Sequence, residues 1–178
     1  MKIGIVVGSV REGRVGMSVG EWIAEQAAGR DGATYEIIDL KSFDLPLLTA
    51  ATVPMAAQGR YEDPQAHTWG AAMAAFDAYI FVTAEYNHGI PGAFKNAIDT
   101  LGVELVGKPV AFAGYGAEGG VRAVEQWRQV VANFSMYDVR AQMALRTFDD
   151  FVDGALQPLD RRYGELAGLF DQLEAARR

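Results

Sequence analysis

Five short apolar runs alternate with five stretches of helical periodicity along this chain, and that alternation restricts the fold more than any other feature. The runs lie at residues 3–7, 34–40, 78–83, 110–114 and 138–145. Strands separated by helices are joined by crossovers, which makes them parallel neighbours with helices on the sheet faces. The helical stripes are equally regular. Val15, Val19, Ile23 and Ala27 fall on one face of a helix that starts near Gly16. Ala66, Trp69, Met73 and Phe76 do the same after Asp63-Pro64, an N-cap and first-turn pair. Phe94, Ile98 and Leu101 mark a third helix, and Val121, Val124, Trp127, Val131 and Phe134 a fourth. A fifth begins near Pro158 and is expected to bury Leu159, Tyr163, Leu166, Phe170 and Leu173.

This order matches an α/β, flavodoxin-like three-layer sandwich with a five-stranded parallel sheet of order 2-1-3-4-5. In such a sheet the crevice lies between strands one and three, outside their carboxyl ends. The length of 178 residues predicts one domain spanning 1–178. Residues 41–63 break the pattern. They hold Pro46, Pro54 and Gly59 with the apolar Leu47, Leu48, Val53 and Met55. A stretch this long without periodicity reads as a lid, an interface or a disordered surface loop.

Composition removes several classes of chemistry. The chain has no cysteine, so disulfides, thiolate metal sites and a thiol nucleophile are excluded. Its two histidines, His67 and His88, are too few for a histidine-rich metal site, and no metal is assigned. The acidic triplet Asp149, Asp150 and Asp153 reads as a solvated loop or helix start rather than a calcium cage. A net charge of −7 argues against nucleic acid and anionic membrane surfaces as partners. The opening MKIGIVVGS is too short for a signal core or a membrane span, so the cytoplasm is the default expectation.

Segment 83–101, TAEYNHGIPGAFKNAIDTL, leaves a buried strand, passes a polar stretch and a Gly-Pro-Gly turn, and enters an amphipathic helix. Its core, EYNHGIPGAFKNAID, resembles the flavin-contacting signature of the NAD(P)H-dependent FMN reductases. That flavodoxin-like family includes azo, quinone and chromate reductases. GSVREGR at 8–14 is similar to the family's phosphate loop, and GYGAEGGVRAVEQWRQVV at 114–131 to its third flavin loop and following helix. The resemblance runs from Lys2 to about Leu145. One departure is Ala84, where the family usually has proline, which relaxes a backbone constraint beside the flavin.

Each loop has residues suited to a flavin mononucleotide. A phosphate needs backbone donors at a helix N-terminus and one or two cations. Ser9, Arg11 and Arg14 offer a hydroxyl and two guanidinium forks, while Gly13 and Gly16 permit close approach. The string mimics a Walker A opening but has Arg14 and Val15 where the lysine and the magnesium-binding hydroxyl belong. In the second loop Tyr86 can wall one ring face, Asn87 can read the ring edge, and amides of residues 85–88 can meet the pyrimidine. Asn87 can equally cap the turn, and Tyr86 can pack in the core. In the third loop, residues 114–119 form a literal GxGxxG. It follows the fourth strand, too late for a dinucleotide fold of two halves, and reads as a tight loop beside a flavin ring.

The resemblance implies FMN as cofactor and NADPH or NADH as co-substrate. The nicotinamide delivers a hydride to the flavin and leaves, and a small-molecule electron acceptor then takes the electrons. It implies a cofactor site of Ser9, Arg11, Arg14, Gly16 and Met17, then Ala84, Glu85, Tyr86, Asn87 and His88, then Tyr115, Gly116, Ala117, Glu118 and Gly119. No catalytic acid or base is assigned, because the cofactor carries the chemistry. The family's habit also implies a homodimer or dimer of dimers. Two other readings share the architecture: a flavodoxin-type electron carrier, and a signalling or nucleotide-binding module without flavin.

Overall fold

The structure, a computed structural model, describes residues 1–176, and Arg177 and Arg178 lie outside the described residues. The chain runs β1 (Lys2–Val7), α1 (Gly16–Ala27), β2 (Thr34–Asp39), α2 (Pro54–Ala57), α3 (Pro64–Ala74), β3 (Ala78–Ala84), α4 (Gly92–Asp99), β4 (Pro109–Gly116), α5 (Val121–Ala132), β5 (Tyr137–Arg146), β6 (Phe151–Val152), β7 (Ala155–Leu156) and α6 (Arg161–Ala175). β1 to β5 form one parallel sheet of order β2-β1-β3-β4-β5, and β6 and β7 pair as a small hairpin. This is the expected order.

Side chains alternate across the strands and build a core on each face. On one face Ile3, Ile5 and Val7 of β1 pack with Val19 and Ile23 of α1 and with Leu166, Leu169, Phe170 and Leu173 of α6. On the other, Val6, Phe81 and Phe112 meet Trp69 and Met73 of α3, Phe94 and Ile98 of α4, and Val124, Trp127 and Val131 of α5. The aromatic centre of this second layer is tight: the Phe81 ring lies 5.2 Å from Phe94 and 5.3 Å from Trp127. The buried indole N–H of Trp127 donates to Thr83 Oγ1 at 3.1 Å, so burial leaves no orphaned donor there.

Several elements differ from the sequence reading. β4 runs two residues past Gly114, because Tyr115 and Gly116 stay in register with Leu145 and Arg146 of β5. α6 starts at Arg161, and Leu159 and Tyr163 are 40% and 45% exposed rather than core. Tyr163 instead stands edge-on to the Trp22 ring at 5.7 Å. Segment 41–63 is not structureless. It contains a 3-10 turn (Leu40–Phe43) and α2, and side chains pin it: Leu48 N–H donates to Asn96 Oδ1 at 2.9 Å, and Tyr61 Oη donates to Glu104 Oε2 at 2.7 Å.

The acidic triplet also divides. Asp149 and Asp153 are exposed, but Asp150 is fully buried. Its carboxylate accepts from Arg162 Nε and Nη2 at 3.0 and 2.8 Å and from the amides of Arg146 and Leu159. The β6–β7 hairpin folds back so that the first turn of α6 meets the end of β5, a juxtaposition that periodicity cannot show. Among the described residues no helix is long and apolar enough to cross a membrane.

Removing one partner of a buried ion pair leaves the other charged and unpaired. Asp150→Ala is therefore expected to destabilise the fold by about 3–5 kcal/mol, and Asp149→Ala by no more than about 0.5 kcal/mol, in chemical denaturation. Burial raises the Asp150 carboxyl, but the Arg162 fork and the two amides outweigh it and hold it below the ordinary carboxylate range. The stabilisation is thus complete above that range and disappears as pH falls through the depressed value of the folded state.

Candidate active site

The chain leaves β1 toward β2 and returns to the opposite side of β1 as β3, and this reversal opens a crevice at their carboxyl ends. Three segments rim it, at residues 8–17, 84–91 and 115–120. Gly8, at the floor, is obligatory: a Cβ there would stand 1.9 Å from the Phe94 ring of α4.

The first loop presents unpaired donors. Val15 precedes α1 without a side-chain cap. Apart from the turn at residues 12–13, no amide from Ser9 to Ser18 donates a hydrogen bond to backbone or side chain among the described residues. Amide donors gathered at a helix N-terminus favour an anion. Ser9 is buried at the base, its Oγ 3.2 Å from Tyr86 Oη, a hydrogen bond that joins the first two loops. The two arginines separate. Arg14 Nη1 donates to Ser9 O at 2.6 Å, and its fork closes on Asp39 at 2.5 and 2.6 Å. Arg14 thus braces the loop against the end of β2 instead of projecting a free charge. Arg11 is exposed and makes no ion pair among the described residues. The Arg14 fork holds the Asp39 carboxyl below its ordinary range.

The second loop is a tight hairpin turn. Tyr86 and Gly89 exchange both backbone hydrogen bonds, at 3.0 and 2.9 Å, and Asn87 and His88 between them have φ of 50° and 65°. The Glu85 amide donates to Tyr115 O and the Tyr86 amide to Gly89 O. Of the four amides in 85–88, those of Asn87 and His88 have no acceptor among the described residues. Tyr86 is 39% exposed rather than in the core, and the Asn87 side chain makes no capping bond among the described residues. The Glu85 side chain turns away from the crevice, accepting from the Arg122 amide at 3.0 Å and its guanidinium at 2.6 Å. Burial raises the Glu85 carboxyl, but Arg122 outweighs it, and the net shift is downward.

In the third loop the Tyr115 ring is core, 7% exposed. Its hydroxyl lies under the first helix, where a Cβ on Gly16 would approach it to 2.6 Å. Burial pushes the Tyr115 phenol up to about 12. Met17 packs half-buried beside the same cluster. Ala84 is buried at the end of β3, while Ala117 and Glu118 are exposed beside Gly116. Gly119 and Gly120, at φ of 76° and 71°, crowd Ala144 and Gly114, so neither position admits a side chain. Sequence pattern alone does not single out the supporting residues Asp39, Arg122 and Gln126. Asp39 ends an apolar run at a strand's carboxyl end, and Arg122 and Gln126 sit four apart, off the buried stripe of α5. Those positions were the available signal.

Open amides with an adjacent exposed cation suit a terminal phosphate. An exposed tyrosine beside two open amides and a glycine-lined loop suits a flat, edge-polar ring. The comparisons agree. The sequence profile of the NADPH-dependent FMN reductase family matches residues 1–150. An NAD(P)H-dependent FMN reductase of Schizosaccharomyces pombe is 31% identical, over 96% of this chain and 90% of its own. A quinone reductase of Escherichia coli strain K12 is 33% identical over 54% of this chain and 53% of its own. Among solved structures, the flavoenzyme NAD(P)H:(acceptor) oxidoreductase FerB of Paracoccus denitrificans superposes with a TM-score of 0.74, at 20% identity, over 98% of each chain, which shows the shared fold. This chain belongs to the NADPH-dependent FMN reductase family, oxidoreductases that use FMN and NAD(P)H.

The Arg14–Asp39 clasp makes a prediction of its own. Asp39→Asn should lower stability by about 1 kcal/mol at neutral pH in urea denaturation, since the pair is only partly shielded. Asp39 is depressed in the folded state, so its contribution is present above the ordinary carboxylate range. The gap between wild type and variant should close as pH falls through that depressed value.

Proposed function

We propose that this protein passes electrons from NAD(P)H, through FMN seated in the β1–β3 crevice, to a small acceptor such as a quinone, an azo compound, a metal oxyanion or free flavin. The observation that carries this reading is the uncapped N-terminus of α1 beneath a loop most of whose amides are open among the described residues. When bound, FMN supplies hydride acceptance and electron release, and the chain supplies position and electrostatics. Ser9, Arg11 and the amides up to Met17 would hold the phosphate, with Arg14 and Gly16 keeping the loop in shape. The open amides of Asn87 and His88 would meet the ring edge, and Tyr86 and the backbone of residues 116–119 would flank the ring. Ala84, Glu85 and Tyr115 support these contacts from behind.

An electron carrier acting on protein partners is the second reading. The arginine-bearing phosphate loop and the family membership favour the enzyme. The exposed Leu47, Leu48, Val53 and Met55 support a homodimer, as the resemblance implies.

Arg11→Ala should weaken FMN binding by about 1.5–3 kcal/mol, roughly ten- to a hundred-fold, in a titration of the flavin-free protein, with the melting temperature unchanged. An unchanged dissociation constant would leave Arg11 as surface charge. The strand ends also bear on kinetics. β2 runs into a 3-10 turn, and β5 into a turn closed by Asp150 on the Arg146 amide, so neither adds an open glycine-rich crevice for a second nucleotide. Donor and acceptor should then occupy one space in turn. Steady-state rates with NAD(P)H and a quinone are expected to give parallel double-reciprocal lines, whereas intersecting lines would require a ternary complex.

A further inference from the structure

Two of the three rim segments are tied to each other through α5, on the side away from the crevice. Gly120, which precedes α5, is in a left-handed conformation and has no side chain to cap the helix. Glu85 supplies the cap from the end of β3: one carboxylate oxygen takes the Arg122 amide at 3.0 Å and the other the Arg122 guanidinium at 2.6 Å. The Glu85 side chain is 9% exposed and that of Arg122 42%, so the carboxylate end of the contact is shielded from water while the guanidinium is partly solvated. One turn further along α5, Gln126 makes a second tie. Its Oε1 accepts from the Ile90 amide at 3.2 Å, and its Nε2 donates to His88 O at 2.9 Å. The hairpin turn at 86–89 is therefore held at both ends by the first two turns of α5. The glycine loop at 116–120 runs directly into that helix.

We propose that Glu85 is a positioning residue that sets the distance between the 85–90 turn and the 116–120 loop, and so fixes the slot for the flavin ring without touching the ring. This rests on the flavin reading above and goes beyond it, because it assigns the signature glutamate to the helix behind the site. A helix cap supplied by a carboxylate gains from both the hydrogen bond and the helix dipole. A surface ion pair would contribute little, but here the carboxylate is shielded and also satisfies a helix-terminal amide.

The test uses Glu85→Ala, Glu85→Gln, Arg122→Ala and the double variant Glu85→Ala/Arg122→Ala. Hydrogen exchange read by mass spectrometry on the full chain, with and without FMN, follows both segments, and FMN titration follows affinity and the visible absorption band. Glu85→Ala should speed exchange in 85–90 and in 116–120 together, weaken FMN by about tenfold or more, and shift the band of what binds. Glu85→Gln keeps an acceptor for the Arg122 amide and should lie between alanine and wild type. Adding Arg122→Ala to Glu85→Ala should cost nothing further, since the pair acts as a unit. Faster exchange in one segment alone or in neither, or an unchanged affinity and band, would overturn the proposal. If the wild-type protein takes up no FMN, the flavin reading fails, and the tie is then decided by the paired exchange response.

Discussion

The site at the carboxyl end of this sheet depends on amides at the start of α1 that have no acceptor among the described residues. At the switch point the chain must leave β1, cross to α1 and begin a helix, and the first turn of any helix has N–H groups without intrahelical acceptors. A serine, threonine or aspartate cap would ordinarily satisfy some of them. Here Val15 stands at that position, and no side chain closes the turn. The loop has a persistent demand for an anion, and a chain of net charge −7 meets it with a local concentration of donors. A terminal phosphate satisfies that demand with the fewest added protein groups.

The surrounding ion pairs show how such a loop is kept open. Arg14 would collapse onto any anion if it were free, yet its fork is closed on Asp39 and on the Ser9 carbonyl. Glu85, the nearest carboxylate in the second loop, would repel a phosphate if it faced the crevice, yet Arg122 draws it behind the site. Charges of both signs are paired outside the crevice, leaving Arg11 as the exposed cation of the loop. The Tyr115 hydroxyl under Gly16 and the Ser9–Tyr86 hydrogen bond complete a frame in which every loop touches another.

Periodicity carried the architecture because it reports burial, and burial on two faces of a parallel sheet is what separates Val6 from Ile5 and Val7. The motifs at 8–14, 85–99 and 114–131 were legible for the same reason that loops at strand ends carry function: position along the chain already placed them together. Side-chain partners over long separations were not legible. Arg14 reads as a free guanidinium until β2 brings Asp39 beside it. Asp150 reads as solvated until a hairpin without strong periodicity returns α6 beneath it. Tyr115 reads as a loop residue until pairing with β5 extends β4 and turns its ring inward. In each case the deciding contact joins elements whose spacing is set by topology, which local pattern does not contain.

The central claim is that the three loops hold a flavin that NAD(P)H reduces. The direct measurement is an anaerobic absorption spectrum of the purified protein, reconstituted with FMN and freed of excess, before and after NADH or NADPH is added. The account predicts flavin bands at near one FMN per chain that bleach on addition of at least one of the two nucleotides and return when a quinone is admitted. A protein that retains no FMN, or one whose flavin bands persist with both nucleotides, would contradict it.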